Sequence, residues 1–165
     1  MSEHVVGIDP GIAGALALVS RAGDLIEVAD MPILRDGSAG RASVNAPLLA
    51  DLLAQWHAQE IICEFVAARP KEGPTGAFSF GRSRGVIEGA CAALGLPIRF
   101  VTPPSWKRLI GIPPGKDGAK DRARSEAIRR WPDKAALFAR VRDDGRADAS
   151  LIAIAGLRRE GGAHV

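Results

Sequence analysis

The sequence predicts an α/β protein in which helices flank a mixed five-stranded sheet. Three short apolar segments near the N-terminus follow one another closely, which is typical of antiparallel strands. Farther along, apolar segments alternate with longer amphipathic helices, which predicts parallel crossovers. A length of 165 residues suits one domain that buries roughly two thirds of its unfolded surface. We therefore expect a single domain over residues 1–165.

The first three strands are predicted from β-branched or alternating runs at residues 4–9, 15–19 and 25–31. A glycine-rich turn precedes the second run, and Ala22-Gly23-Asp24 supplies the hairpin turn before the third. Residues 32–43 are rich in glycine, serine and arginine and are predicted to form a loop.

A helix and a strand then predict the first parallel crossover. Asn45 is a candidate N-cap for the helix. The apolar stripe of this helix consists of Leu48, Leu49, Leu52, Leu53 and Trp56. Residues 60–66 form the fourth predicted strand, which returns parallel to the first through a right-handed connection.

The second half of the chain is predicted to be mainly helical. Helices are expected at residues 76–94, 103–109, 120–131 and 144–158, with a fifth strand at residues 98–101. The stripe of the long helix is Val86, Ile87, Ala90, Cys91 and Leu94. Gly81, Gly85 and Gly89 recur every four residues, which predicts a smooth helix face. Tight packing on the protein's own sheet is the favoured interpretation, and a dimer seam is the alternative.

Cysteine usage and hydropathy indicate the compartment. Cys63 and Cys91 lie in apolar segments without the spacing of a zinc site, so we expect buried thiols in a reducing environment. The sequence lacks a run of roughly 18 apolar residues and an N-terminal signal pattern. We expect a soluble, cytoplasmic protein. The three tryptophans, Trp56, Trp106 and Trp131, are expected to pack in the core.

Charge is distributed unevenly along the chain. Residues 1–64 carry 3 Lys and Arg against 9 Asp and Glu, whereas residues 99–142 carry 12 against 4. A basic half of this kind favours a polyanion such as nucleic acid as partner. A solvated helical surface is the alternative interpretation.

Four acidic residues stand where predicted elements begin or end. Asp9 and Glu64 close strands, and Asp144 and Asp148 lie four residues apart in the last helix. The carboxyl ends of neighbouring parallel strands meet at one edge of a sheet. A carboxylate there needs a compensating partner. A turn role for Asp9 and an N-cap role for Asp144 are the alternatives.

Carboxylates without His or Cys suit Mg²⁺ or Mn²⁺. Two such ions about 4 Å apart can activate water and stabilise the leaving oxygen during phosphodiester hydrolysis. The acids therefore predict a metal-dependent phosphodiesterase.

With these acids in view, the chain resembles the RuvC-type Holliday junction resolvases of the RNase H-like superfamily. The opening GIDPG and the strand-ending Glu64 carry the likeness, and DGRADASLIAIA resembles the acidic last helix of phage-type and prophage-type members. Intervening segments are similar as well: FGRSRGVIEGACAALGLPI, TPPSWKRLIG and KDRARSEAIRRW. The resemblance implies an RNase H-like fold and a magnesium-dependent homodimer. Such an enzyme nicks two opposed strands of a four-way DNA junction in recombination or repair.

The resemblance also implies roles for individual residues. The implied metal ligands are Asp9, Glu64, Asp148 and a fourth acid, for which Asp144 is chosen and Asp143 is the alternative. Lys107 and Lys120, with Lys116 as competitor for the latter, would neutralise the scissile phosphate. Phe78 or Phe80 would stack on junction bases. The remaining implied DNA contacts are Arg69, Lys71, Arg82, Arg84, Lys116 and Arg124.

Two other functions are alternatives to the nuclease. The opening GIDxG pattern also resembles actin-like and sugar-kinase-like phosphotransferases, which usually need a second lobe for which this chain is too short. A DNA-binding module without catalysis is the other alternative, and the set of acids argues against it.

Overall fold

A five-stranded sheet lies at the centre of the fold. The computed structural model describes residues 3–35, 40–65, 67, 73–115 and 118–161, without the side chains of 119, 120 and 159–161. The strands of this sheet are β1 (His4–Asp9), β2 (Ala15–Ser20), β3 (Leu25–Asp30), β6 (Glu60–Glu64) and β7 (Ile98–Val101). The β1–β2 and β2–β3 pairs are antiparallel, and the β1–β6 and β6–β7 pairs are parallel. The predicted mixed sheet is confirmed.

Helices cover both faces of the sheet. They are α1 (Ala46–Trp56), α2 (Pro74–Ala93), α3 (Pro103–Ile110), α4 (Ala119–Arg130) and α5 (Asp144–Gly161). Alternate residues of β1 point to opposite faces. Val5 packs with the core on the α3, α4 and α5 side, and Val6 and Ile8 pack with the core on the α1 and α2 side.

Helix α5 lies unusually close to the sheet, and two glycines permit this. A Cβ at position 7 would overlap the backbone of Ala149, and a Cβ at position 156 would overlap the side chain of Ile62. Only a residue without a side chain allows two backbones to approach this closely. The α5 register over β1 is therefore fixed by the sequence.

Helix α1 begins at the predicted N-cap, but its buried face differs from the predicted apolar stripe. The Asn45 Oδ1 atom accepts a hydrogen bond from the Leu48 backbone N–H at 3.2 Å, so the N-cap is confirmed. Leu49, Leu53 and Trp56 are buried. Leu48, however, is 54% exposed because it lies on the outer side of the first turn. Its inclusion in the buried stripe was wrong, as was that of the half-exposed Leu94.

Several short elements of the structure were not predicted from the sequence. Residues 32–43 were predicted as a loop, but β4 (Ile33–Leu34) pairs antiparallel with β5 (Ser43–Val44). Two-residue strands are too short to show a periodic pattern. The 3₁₀ helices Pro132–Phe138 and Val141–Asp143 were not predicted either. Strand β6 ends at Glu64, so the predicted extension to 66 was too long, and residue 66 itself lies outside the described residues.

The glycine face of α2 points away from the sheet. The buried residues of this helix are Ser83, Ile87 and Cys91. A Cβ at any of the three glycine positions 81, 85 and 89 would meet no atom within 4 Å. The favoured interpretation, packing on the protein's own sheet, was wrong. Among the described residues, no helix has both the length and the apolar character needed to cross a membrane.

Candidate active site

Two of the predicted acids lie side by side at one edge of the sheet. Ile8 of β1 pairs with Cys63 of β6, so the next residues, Asp9 and Glu64, occupy adjacent strand ends. Parallel neighbouring strands lie about 4.8 Å apart. Both side chains are half-buried. Asp9 and Glu64 also lie on the α5 face of the sheet, since each is two residues beyond a residue that packs against α5.

The N-terminal turn of α5 covers the same edge. A Cβ at Gly145 would crowd the backbone of Ala13 and Gly14, and one at Gly14 would overlap the Asp9 carbonyl. The acids Asp144 and Asp148 flank this contact, and both are half-buried. Three separate segments therefore bring the four predicted acids to one end of the sheet. The helix N-terminus adds a positive dipole end at this place.

Asp143, the alternative fourth acid, is engaged elsewhere. Its side chain is 2% exposed and accepts hydrogen bonds from the Arg140 backbone N–H at 2.9 Å and from Arg140 Nη2 at 2.7 Å. The hydrogen-bonded Arg140 guanidinium lowers the pKa of the Asp143 carboxyl. These bonds close the 3₁₀ turn before α5. The choice of Asp144 stays a prediction, and the internal use of Asp143 favours it.

An ion pair fixes the start of α5 on the sheet. Arg146 donates from Nε and Nη2 to the two carboxylate oxygens of Asp30, at 2.6 and 2.8 Å. Asp30 ends β3, whose neighbour β2 begins at Ala15 beside Asp9. The bidentate bond lowers the pKa of Asp30 and raises that of Arg146. This pair could not be predicted from local patterns, since its members are 116 residues apart.

A buried tryptophan holds Glu64. The Trp106 Nε1–H donates to Glu64 Oε1 at 2.7 Å, and the Trp106 side chain is fully buried. The Nζ atom of Lys107 lies 5.3 Å from the centre of the same indole ring, which is a cation–π distance. Core packing of Trp106 is confirmed, but its hydrogen bond to a candidate site residue was missed. The same indole therefore contacts both Glu64 and the predicted Lys107.

The thiol next to the site is not a nucleophile. Burial raises the pKa of Cys63, and the nearby Cys91, Asp9 and Glu64 raise it further. A neutral, buried thiol neither attacks a substrate nor ligates a metal readily. The influence of both acids on one sulfur also agrees with their adjacent positions.

The donor chemistry fits a hard divalent cation. Four carboxylates at one sheet end offer oxygen ligands of the kind that Mg²⁺ and Mn²⁺ prefer. In the part of the chain that the structure describes, however, no three His, Cys, Asp or Glu side chains are gathered into a ready metal cluster. The carboxylates therefore fit the ion in donor type, and Asp9 and Glu64 stand at adjacent strand ends.

Solved structures share this fold over nearly the whole chain. RuvC of T. thermophilus in complex with a Holliday junction substrate is 19% identical, with a TM-score of 0.61, over 97% of this chain and 96% of that one. The chain has the RuvC fold. A second Thermus thermophilus RuvC structure is 18% identical, with a TM-score of 0.58 and 96% of both chains covered.

The yeast mitochondrial Holliday junction resolvase Ydc2 is a more distant neighbour. It is 13% identical, with a TM-score of 0.52, over 97% of this chain and 80% of that one. No family model and no curated protein matches the sequence.

The predicted base-stacking residues differ in exposure on this RuvC fold. Phe78 is 73% exposed, and Phe80 is half-buried. Arg82, on the same helix, is exposed. Phe78 therefore has the open ring face that stacking requires.

Two predicted DNA-contacting arginines make internal contacts. The Arg84 guanidinium lies 4.6 Å from the ring centres of both Phe65 and Phe100 and pairs with Glu88. The Arg124 guanidinium pairs with Asp121 and donates to the Ala139 carbonyl at 3.1 Å. Their DNA contacts stay predictions.

The other predicted contacts lie outside the described part of the chain. Arg69, Lys71 and Lys116 are among the residues that the structure does not describe, and the Lys120 side chain is not described. An open cavity of about 670 Å³ lies beside Lys107 and is lined by Arg108, Ile112 and prolines of α3 and the following turn.

Proposed function

We propose that the protein is a structure-selective endonuclease of the RuvC type that hydrolyses phosphodiesters in four-way or branched DNA. The observation that supports this proposal is that Asp9 and Glu64 end neighbouring parallel strands, while Gly145, between Asp144 and Asp148, packs on the turn that follows Asp9. RuvC of the same fold was solved with a Holliday junction substrate, which supports the choice of DNA. The phage-type membership and the single domain over 1–165 belong to the same proposal.

The four acids would hold Mg²⁺, with Mn²⁺ as a substitute. When bound, the ions supply an activated water and neutralise charge on the leaving oxygen. The protein's own part is to fix the carboxylates on rigid elements. Asp9 and Glu64 end paired strands, and the Arg146–Asp30 ion pair anchors the helix that carries the other two.

Lysines near the acids would orient the DNA strand. Lys107 packs on the Trp106 ring, which limits the directions in which its ammonium group can point. A cation held beside the carboxylates would neutralise the scissile phosphate. Lys120 is proposed for the same task from α4, and the excess of Lys and Arg over residues 99–142 supports a DNA-facing side.

We further propose that the protein acts as a homodimer. Cutting two opposed strands of a junction requires two sites related by a two-fold axis. The open glycine face of α2 supports a close contact between helices, since Gly81, Gly85 and Gly89 carry no side chains that would separate two backbones. The free, buried thiols of Cys63 and Cys91 support a reducing, cytoplasmic setting.

Cleavage of labelled DNA tests the proposal. The purified protein is given a four-way junction, a linear duplex of the same sequence and ATP, each with Mg²⁺ or with EDTA. We expect paired nicks on opposed strands of the junction, only with Mg²⁺, and an intact duplex. ATP hydrolysis would instead indicate a phosphotransferase, and junction binding without cleavage in Mg²⁺ or Mn²⁺ would indicate a binding module.

A further inference from the structure

The hydrogen bond between Trp106 and Glu64 joins a core residue to a candidate metal ligand. An indole N–H is a donor and accepts no hydrogen bond. At 2.7 Å from Glu64 Oε1 it is short for an N–H donor, as expected when the acceptor is an ionised carboxylate. The bond therefore restrains the carboxylate without bringing a positive charge to it.

The fold holds the indole rigidly. Glu64 pairs with Val101 at the end of β7, and α3 begins two residues later at Pro103. Trp106 lies in the first turns of α3, where its backbone N–H bonds to the Thr102 carbonyl. Its side chain packs with Ile110 and Ile112 in the core and has no exposed surface. A ring packed in this way cannot move without disturbing the core. The hydrogen bond therefore holds the Glu64 carboxylate in a fixed position relative to the ring.

We propose that Trp106 is a positioning residue that holds the Glu64 carboxylate in the orientation required for divalent-cation binding. This inference rests on the proposed function, since it assigns a role within the same site. Hydrogen-bond donors to ligating side chains fix ligand geometry, and their loss typically lowers metal affinity or activity roughly tenfold to a hundredfold. The Trp106 ring also contacts the ammonium group of Lys107, so one indole touches both a predicted acid and a predicted lysine of the site.

Trp131 offers a matched control within the same chain. It is also buried, and its Nε1–H donates to the Gly23 carbonyl at 3.0 Å. Gly23 lies in the turn after Ser20, which pairs with His4 at the opposite end of the sheet from Asp9. Trp131→Phe therefore removes an indole donor and core volume at a distance from the acids.

The experiment measures Mn²⁺ binding by calorimetry for the wild type, Trp106→Phe and Trp131→Phe, with thermal unfolding in EDTA recorded for each. We expect Trp106→Phe to bind Mn²⁺ roughly tenfold to a hundredfold more weakly than the wild type. Trp131→Phe should bind Mn²⁺ like the wild type even though its unfolding temperature falls. Equal Mn²⁺ affinity in the wild type and Trp106→Phe would overturn the proposal.

A metal-free measurement covers the case in which Trp106→Phe does not fold. In the NMR spectrum of ¹⁵N-labelled protein in EDTA, Glu64→Ala should shift the Trp106 indole proton upfield and leave that of Trp131 in place. An unmoved Trp106 signal would overturn the proposal.

The two proposals fail in different ways. Weak Mn²⁺ binding by Trp106→Phe in a protein that cuts no junction would support the positioning role and reject the nuclease. Paired junction nicks together with unchanged Mn²⁺ affinity in Trp106→Phe would do the reverse. A wild type that binds no Mn²⁺ would overturn both.

Discussion

Two glutamates on β6 share one face of the sheet and have different surroundings. Glu60, at the start of the strand, accepts hydrogen bonds from Arg99 at 2.7 and 3.2 Å, and Arg99 also reaches the Gly156 carbonyl of α5. Glu64, at the end of the strand, accepts a hydrogen bond from the neutral Trp106 indole. The first contact brings a positive charge to the carboxylate, whereas the second brings a neutral donor.

The same contrast occurs between two neighbouring aspartates. Asp143 is bound by Arg140 and closes a turn, while Asp144 begins α5 on the side of Asp148. The comparison teaches that an acid next to a strand or helix end can serve the fold itself, as Glu60 and Asp143 do through their arginine contacts. Position in the sequence alone does not distinguish the two kinds.

Replacing the strand-ending acids should lower the rate of junction cleavage more than any other substitution. Asp9→Asn and Glu64→Gln should each lower junction cleavage by roughly a thousandfold or more, since bound metal supplies several kcal/mol of transition-state stabilisation. Junction binding should persist because the basic surface is unchanged. Glu60→Gln is the control: it should cost about 2 kcal/mol of unfolding free energy and leave cleavage intact. Loss of cleavage in Glu60→Gln with normal cleavage in Glu64→Gln would reverse the comparison.

Replacing Asp143, which precedes α5, and Asp144, which begins it, should likewise affect different properties. Asp144→Asn should slow cleavage by roughly a hundredfold, because an amide oxygen still offers a neutral ligand. Asp143→Asn should lower the thermal unfolding temperature and leave the cleavage rate of the folded protein near that of the wild type. Rates of both variants on one labelled junction, with melting curves, check this. A slower Asp143→Asn and an unaffected Asp144→Asn would make Asp143 the fourth ligand.

A third test compares a lysine near the acids with a lysine far from them, through their effects on junction binding and cleavage. Lys107→Ala should slow cleavage and reduce the salt dependence of junction binding by about one unit of the log–log slope if the ammonium contacts phosphate. Lys134 serves as the distant control, because it bonds to Trp131, whose indole contacts Gly23 at the opposite end of the sheet from Asp9. Binding measured across a salt series should leave the Lys134→Ala slope at the wild-type value. Equal slopes for Lys107→Ala and the wild type would assign Lys107 to the surface.

The smallest effect, a change in stability that depends on pH, is expected from breaking the Asp30–Arg146 ion pair. Because the folded-state pKa of Asp30 lies below its ordinary value of 3.8, the stabilisation is complete above that pH and is lost as pH falls through the folded-state pKa. Asp30→Asn should therefore unfold more easily than the wild type at pH 6, and the difference should shrink in acid. Melting curves between pH 2 and 6 measure this. A difference in unfolding temperature between Asp30→Asn and the wild type that grows as the pH falls would contradict a stabilising Asp30–Arg146 pair.

Periodic patterns predicted most of the fold. The sheet strands and all five helices lie close to the predicted ranges, because each is long enough to show a period of two or 3.6 residues. The strands Ile33–Leu34 and Ser43–Val44 are too short for such a pattern. The glycine spacing on α2 predicted a smooth face, but which way that face points depends on tertiary packing.

The candidate site was predictable for residues that end strands. Asp9 and Glu64 could be placed together because parallel strands bring their ends to one edge. The Trp106 donor could not be found, since it lies 42 residues from its acceptor and has the sequence signature of an ordinary core residue. Contacts between distant segments depend on the assembled fold, which local patterns do not contain.

Diffraction from crystals soaked in Mn²⁺, measured at a wavelength where manganese scatters anomalously, tests the central claim most directly. The account predicts anomalous peaks at the carboxyl end of β1 and β6, coordinated by Asp9 and Glu64 with acids of the first turns of α5. Manganese bound elsewhere, with these carboxylates turned away from it, would contradict the account.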